Sequence, residues 1–385
     1  MIKDIAVLSP LYITVFWGIV LLSNYQKSKP KFLLGIFMTS AFFLYLSHTF
    51  FFTENFRAYF HSEGVYLLTS LTVYPLYYCY VRMLTVENSF RIKNLIHFIP
   101  AVLLGLASFI TGLFFTDEQQ LHYISAFVMR KDTSSIVLLS TEGIKSGIFI
   151  ISRVLFLLQV FYYLLNGAIL TQQHDLRIAN YYSNTQGKSL VWVRMVTISF
   201  FMTSIASITF AIIGRNLFML NEYLLLIPSI IFSVLLYLIG YLGNTINQII
   251  VEPVLTQSAP SGLQFNNTEM MREKFLLLLK DDKIFKNPEF LITHLSDALQ
   301  ARNSDVLLLI NDEFKTDFSN FVNKYRISVA KKLIVNNLNN ELTLDTIALE
   351  SGFDSLISFT KVFKSHEGVT PQIYKEMSGQ REFTL

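Results

Sequence analysis

Seven stretches of about twenty apolar residues fill the first 243 positions of this chain, and this pattern restricts its fold more than any other feature of the sequence. An apolar run of about 20 residues crosses the hydrocarbon core of a bilayer as a helix. The sequence therefore predicts a seven-helix transmembrane bundle. The stretches lie at about residues 5–24, 32–53, 64–84, 95–115, 146–170, 190–213 and 217–242.

The composition is typical of a chain that lies largely within a lipid bilayer. Hydrophobic residues make up 52% and charged residues 15% of the sequence, whereas soluble proteins carry about 25% charged residues. The single cysteine, Cys79, excludes an internal disulfide framework and a cysteine-based zinc site. Only Lys3 and Asp4 carry charge ahead of the first stretch, which has no small-residue cleavage site, so we expect a retained helix and not a removed signal peptide.

The distribution of Lys and Arg between the short loops predicts the orientation of the bundle. Alternate loops hold eight basic residues on one side and six on the other, and the richer side faces the cytoplasm. We therefore expect a multi-pass protein of the cytoplasmic (inner) membrane, with its N-terminus outside and its C-terminus in the cytoplasm.

Polar groups inside the stretches are few. Arg153 and Arg194 lie near the ends of predicted spans, where long side chains reach the head groups. The spans lack the acidic and basic pairs expected of a proton relay or ion pump, which disfavours transport. The long loop at about 116–145 contains the apolar piece LHYISAFVM, which could cap a ligand cavity, lie in the membrane interface or belong to an ordinary loop.

The hydrophobic pattern ends near Gly243. Residues 244–268 contain several turn formers, including Pro253, Pro260 and Gly262, which predict a linker. The expected organisation is a transmembrane, signal-sensing domain at 1–243, this linker, and a cytoplasmic all-helical domain at 269–385.

The C-terminal region has the period of amphipathic helices interrupted by short breaks. Two helix-turn-helix units are predicted, LITHLSDALQ to SDVLLLINDEF and LDTIALES to DSLISFTKVFK, with a long helix between them. One stripe of apolar residues marks the buried face of that helix. Its members are Phe318, Phe321, Val322, Tyr325, Val329 and Leu333.

Gly352 lies where the second unit turns between its helices, a position that favours a left-handed backbone. In the following helix Phe359, Val362 and Phe363 share one face and predict a core. The opposite face is either a solvated surface or the face that enters the major groove, where lysines contact phosphate or guanine and isoleucine contacts a thymine methyl. That face contains Asp354, Ile357, Lys361 and Lys364.

Residues at about 275–378 resemble the AraC/XylS-type DNA-binding domain. The resemblance is carried by YRISVAKKLI, IALESGF, FTKVFK and GVTPQIYKE, with structural positions at Gly352, Phe353, Phe359, Phe363, Gly368, Pro371 and Tyr374. It implies two recognition helices that read adjacent major-groove segments. The implied reading positions are Asp354, Ser355, Leu356, Ser358 and Lys361 in the second unit, and Asn303, Ser304, Leu307, Leu308 and Asn311 in the first.

The first helix-turn-helix unit departs from the family pattern. Leu307 and Leu308 stand where a serine and a basic or amide residue are usual, and Lys315 stands where glycine is common. We expect both leucines to point away from the core face, where they contact thymine methyls or a protein, or leave this helix with little sequence readout. Residues 266–385 hold 15 Lys/Arg against 17 Asp/Glu, so we expect weak DNA binding that tandem sites or a homodimer would strengthen.

No catalytic pattern is present in the sequence. The seven histidines are scattered, and there is no metal-ligand spacing, phosphate loop or nucleophile elbow. The prediction is a non-enzymatic, membrane-embedded transcription regulator without metal or cofactor, whose partners are promoter DNA, the bilayer and an unknown small-molecule or envelope signal. The alternative is a receptor or transporter whose helical tail binds proteins.

Overall fold

A computed structural model of the chain describes residues 2–23, 28–86, 91–129, 139–185, 191–213, 218, 222–245, 266–278, 284–337 and 342–382. The regular structure of these residues is helical apart from one isolated β-bridge, which confirms the all-α class. By its contacts the chain forms two compact units. The first comprises Met1–Gln172 with Leu190–Ile250, and the second comprises Gln173–Ser189 with Val251–Leu385.

The first unit is built mainly on long apolar helices, which follow the order of the hydrophobic stretches; α5 is a short polar helix between them. Its helices are α1 (Ile2–Ser23), α2 (Lys29–Phe52), α3 (Phe56–Thr85), α4 (Ile99–Gly112), α5 (Asp117–His122), α6 (Thr141–Tyr181), α7 (Val191–Ile213) and α8 (Glu222–Thr245). A 3-10 helix at Ile92–Phe98 precedes α4, and a π-helix at Tyr123–Met129 follows α5. Helix α6 begins in the first unit and its last residues belong to the second.

Within the described residues, five helical segments are long and apolar enough to cross a membrane. These are Lys3–Ser23, Lys29–Phe52, Ile92–Gly112, Thr141–Tyr181 and Tyr223–Thr245. The apolar part of α7, Val193–Thr209, is shorter. Helix α3 is rich in polar residues and is not among the five. The count of seven spans therefore stays a prediction.

One buried ion pair joins several helices of the first unit. Lys145 Nζ lies 2.8 Å from Glu63 Oε2, and both side chains are almost fully buried. The Tyr123 hydroxyl donates to Glu63 Oε1 at 2.9 Å, and Lys145 donates to the carbonyl oxygen of Ser108 at 3.0 Å. The charges thus satisfy one another at the junction of α3, α4, α6 and the π-helix. The expectation that acidic and basic pairs are lacking is wrong here, because α3 and α6 begin before the apolar stretches and include Glu63 and Lys145.

The second unit contains the predicted pair of helical units with the long helix between them. Its helices are α9 (Asn266–Leu278), α10 (Ile292–Leu299), α11 (Asn303–Phe314), α12 (Phe318–Asn336), α13 (Leu344–Glu350), α14 (Leu356–Glu367) and α15 (Pro371–Glu382), with a 3-10 turn at Ile284–Lys286. Residues 246–265, which include most of the predicted linker, lie outside the described residues.

Helix α12 serves two hydrophobic cores. Its first half packs Phe318, Phe321 and Val322 against α9, α10 and α11. Its second half packs Ile327, Ala330 and Ile334 against α13 and α14. The single predicted stripe is therefore not the main buried face in the second half, where Val329 and Leu333 are only partly buried, although Leu333 still packs against the second core. The buried face changes along the helix because each half serves a different core.

Candidate DNA-binding site

Each helical pair of the second unit has a turn that sets the direction of its second helix. Helix α10 ends at Gln300 in the left-handed region (φ 53°), and α11 follows from Asn303. Helix α13 is followed by Gly352 at φ 93°, and α14 begins at Leu356. These are the two pairs of helices that the sequence predicts.

The N-terminus of α14 is capped by its own preceding residue. The Ser355 hydroxyl accepts a hydrogen bond from the backbone N–H of Ser358 at 3.2 Å. A side-chain oxygen in this position satisfies one of the amides that a helix leaves unpaired at its start. Ser355, assigned to base reading by the resemblance, therefore also holds the start of the helix in place.

The buried face of α14 is aromatic. Phe359 and Phe363 are fully buried, and Phe353 packs on Phe359 with ring centroids 5.2 Å apart. Tyr374 of α15 closes the core, its ring centroid lying 5.4 Å from that of Phe363. Pro371 begins α15. Together these contacts fix the rotation of α14 about its axis.

The opposite face of α14 is open to solvent. The Ile357 side chain is 73% exposed, and this large apolar group has no neighbour to cover it. The exposed residues of this face are Asp354, Leu356, Ile357, Lys361 and Lys364. Ser358 is buried, so its hydroxyl is not available to a base in this structure.

Asp354, at the start of this face, is already engaged. Its Oδ2 accepts a hydrogen bond from Asn184 Nδ2 at 2.7 Å. Asn184 belongs to the segment Tyr182–Asn184, which follows α6 and packs within the second unit. The sequence does not predict that this segment contacts the helical pairs, because nothing in its composition indicates a partner about 170 positions away.

Three further contacts anchor the same segment. Tyr182 forms an antiparallel bridge with Leu291, and the Ser183 amide donates to the Phe290 carbonyl at 3.1 Å. The Ser319 hydroxyl donates to the Ser183 carbonyl at 3.0 Å. The segment is therefore held by backbone hydrogen bonds beside the first helix-turn-helix.

Arg326 of α12 lies at the centre of the unit and is 1% exposed. Its Nε donates to the Phe285 carbonyl at 2.8 Å, and its Nη2 donates to the Asn287 carbonyl at 2.7 Å and to Ser183 Oγ at 3.0 Å. Burial lowers the pKa of Arg326 to about 10, against the opposing effect of the Asp354 carboxylate. The guanidinium therefore stays positive at neutral pH and joins three separate segments.

The first recognition helix, α11, presents a different surface. Ser304 and Asn311 are exposed, Asn303 is half-buried, and Leu308 is 59% exposed. The expectation that Leu307 points away from the core is wrong. Leu307 is half-buried and packs against the core that α11 shares with α9, α10 and α12.

Helix α11 itself contains no Lys or Arg. Arg302, which precedes it, makes a two-pronged contact with Asp305 at 2.7 and 2.9 Å. Helix α14 carries the positive charges of Lys361 and Lys364, whereas α11 carries none, so α11 attracts DNA phosphates less strongly.

The first helix-turn-helix pair also carries more backbone strain than the second pair. Gln300 and Lys315, at the ends of α10 and α11, have φ of 53° and 51°, whereas the second pair has glycines, Gly352 and Gly368, at its positive-φ positions. A left-handed backbone costs a residue other than glycine about 1–2 kcal/mol.

Lys315→Gly is expected to stabilise the first helix-turn-helix pair by about 0.5–1 kcal/mol, because glycine relieves this strain. The greater freedom of glycine in the unfolded chain offsets only part of that gain. Hydrogen exchange of the α11 and α12 amides in the full-length protein measures the change. Lys315→Ala is the matched control, since it removes the charge and keeps the strain. Equal protection in the two variants would contradict the strain argument.

No group of three or more His, Cys, Asp or Glu side chains that could hold a metal occurs in the part of the chain that the structure describes.

Comparison with known proteins identifies this region. Residues 295–377 match the family model described as a helix-turn-helix domain, and this match confirms the AraC-type helix-turn-helix region. It begins in α10, ends in α15 and includes both helical pairs. The chain matches none of the curated proteins and none of the solved structures compared with it. The C-terminal part of the chain thus carries a DNA-binding, regulatory domain.

Proposed function

We propose that this protein is a membrane-embedded transcription regulator that binds promoter DNA in a sequence-specific manner and responds to a signal received by its first unit. The observation that carries the proposal is the combination, in one chain, of the AraC-type helix-turn-helix match and helices of membrane-spanning length. The Lys/Arg bias of the predicted loops favours a C-terminus in the cytoplasm, the side on which DNA lies.

The proposed reading surface is the exposed face of α14. Lys361 and Lys364 supply the positive charge, and Ile357 supplies an apolar group of the kind that contacts a thymine methyl. Leu356 extends the surface, and Asp354 accepts from cytosine once Asn184 releases it. Ser304, Leu308 and Asn311 of α11 form the second, weaker reader.

The excess of acidic residues in this region argues for a homodimer. Neutralised phosphates supply much of the affinity of DNA-binding proteins, and one copy offers few basic side chains. Two copies held in the same bilayer have a high effective concentration for paired sites. The domain boundaries 1–243, 244–268 and 269–385 belong to the same proposal.

Lys361→Ala is expected to weaken binding of the selected promoter site by about 5- to 150-fold, the range for losing one base-reading side chain. The measurement uses the full-length protein in lipid nanodiscs at fixed, moderate salt, with genomic fragments enriched by binding and then footprinted. Relaxed sequence preference at one position would identify a base contact, and a uniform loss would identify a phosphate contact.

Lys332→Ala is the matched control, because Lys332 is exposed on α12 and outside both helix-turn-helix pairs. We expect its affinity to stay within about twofold of the unchanged protein. Failure of the full-length protein to protect any genomic sequence would overturn the proposal.

The exposure of Leu308 favours a protein-binding tail as the second candidate function. That alternative predicts no footprint in any variant and loss of partner capture in Leu308→Ser.

A further inference from the structure

The first unit contains a large, partly open cavity between its long helices. Its volume is about 770 Å³, within the range of roughly 300–1,000 Å³ typical of small-molecule sites. The walls are mainly aliphatic and aromatic side chains from α1, α2, α3, α6, α7 and α8. Phe127 and Val128 of the π-helix also line it, so part of the loop segment LHYISAFVM contributes to the wall of a cavity.

Arg153 is the one charged residue of the cavity lining among the described residues. Its guanidinium lies 4.9 Å from the ring centroid of Tyr66 and 4.6 Å from that of Phe149. Stacking of this kind holds the planar group by its faces and leaves its N–H edges for hydrogen bonds. The sequence-based expectation that Arg153 reaches the head groups is thus replaced by a position in the cavity wall.

Two of the three guanidinium nitrogens of Arg153 lack hydrogen-bond partners in the described part of the chain. Its Nε and Nη2 are buried and make no hydrogen bond. The other buried cation of the unit contrasts with it, since Lys145 has Glu63 and Ser108. A buried charged donor without a partner is costly, and the cavity lining contains no Asp or Glu to satisfy it.

A ligand with an anionic head would supply the missing acceptors. A carboxylate matches the forked geometry of a guanidinium and forms two parallel hydrogen bonds with it. Most of the remaining cavity wall is apolar, with His48 and a few hydroxyl groups as the exceptions, so a sugar or nucleotide would leave many of its polar groups unpaired. A hydrocarbon tail has no polar groups, so its burial there leaves no hydrogen bond unmade.

We infer that this cavity binds a single-chain amphipathic anion, with a carboxylate or similar head on Arg153 and an apolar tail between the helices. Its role as the signal of the regulator rests on the proposed function. Binding itself does not, and it can be measured without DNA.

The test uses the full-length protein in nanodiscs of zwitterionic lipid and a diazirine-bearing long-chain carboxylate as probe. Hexadecanoate is expected to compete with photolabelling about thirtyfold better than hexadecan-1-ol, because only the acid pairs with Arg153. Labelled peptides from α3, α6 or the π-helix would locate the probe in the cavity. Equal competition by acid and alcohol would overturn the inference without using any variant.

Arg153→Met is expected to abolish the preference for the acid, and Arg153→Lys to retain part of it, since lysine keeps the charge and loses the fork. Arg194→Met is the control, because Arg194 is exposed and lies outside the cavity lining. An unchanged acid preference in Arg153→Met would contradict the inference.

Loss of labelling in discs of anionic phospholipid would assign the head group to a bilayer lipid and overturn the single-chain assignment. Footprinting on the same preparations reports separately on DNA binding.

Discussion

Arg326→Met is expected to destabilise the second unit by about 3–4 kcal/mol, a large part of the 5–15 kcal/mol that stabilises a typical domain. The substitution removes hydrogen bonds to the carbonyls of Phe285 and Asn287 and to the Ser183 hydroxyl. Methionine fills similar space but leaves these acceptors in a buried site without a donor. Hydrogen exchange in the full-length protein should show lost protection from Ile284 to Asn336, together with loss of DNA binding.

Lys324→Met is the matched control for this experiment, because Lys324 lies on the same helix and its side chain is exposed. It removes one positive charge and no buried hydrogen bond, so we expect a change of less than about 0.5 kcal/mol. Arg326→Lys should recover only part of the stability, since an ammonium cannot reproduce the fork. Unchanged exchange protection in Arg326→Met would contradict the central role of this side chain.

Gly352→Ala is expected to cost at least about 3 kcal/mol, from strain in the left-handed region and from overpacking. A Cβ at this position would lie 2.6 Å from the Phe285 carbonyl oxygen and 2.8 Å from the Lys286 Cα. Both are backbone atoms and cannot rotate away. The turn before α14 must therefore move off the Ile284–Lys286 turn, which changes the direction of α14 relative to α11.

Gly368→Ala separates the two causes. Gly368 also has positive φ (77°), but no atom lies within 4 Å of its added Cβ. We expect it to cost only the strain, about 1–2 kcal/mol. Hydrogen exchange of α14 and footprinting measure both variants. Equal losses in the two alanine variants would exclude the collision with Phe285 and Lys286.

The sequence predicts the elements of this protein better than the contacts between them. Spacing alone places Phe359 and Phe363 on one face of a helix, and both are buried. Spacing fails in the second half of α12, because a stripe drawn along one helix assumes one core and this helix serves two. The roles of the reading residues stay predictions, since exposure shows which side chains are available and not what they bind.

Two features of the first unit cannot be predicted from hydropathy. A hydropathy stretch ends at charged residues, so it stops just short of Glu63 and Lys145, whose charges neutralise each other inside the unit. Hydropathy also does not say which face of a span borders a cavity. Arg153 therefore reads as a residue near a span end, although its donors lie buried in the cavity wall.

The position of Tyr182–Asn184 has a consequence for any cleavage of the chain. A cut between 253 and 268 would separate this segment from the helices it completes, because it lies upstream of the cut. The soluble product would lack the Ser183 hydroxyl that Arg326 uses and the strand-like partner of Leu291. The DNA-binding half is thus a composite of two non-adjacent pieces of polypeptide. A product released by a protease would therefore have an incomplete fold, which favours a DNA-binding domain that acts while still joined to the rest of the chain.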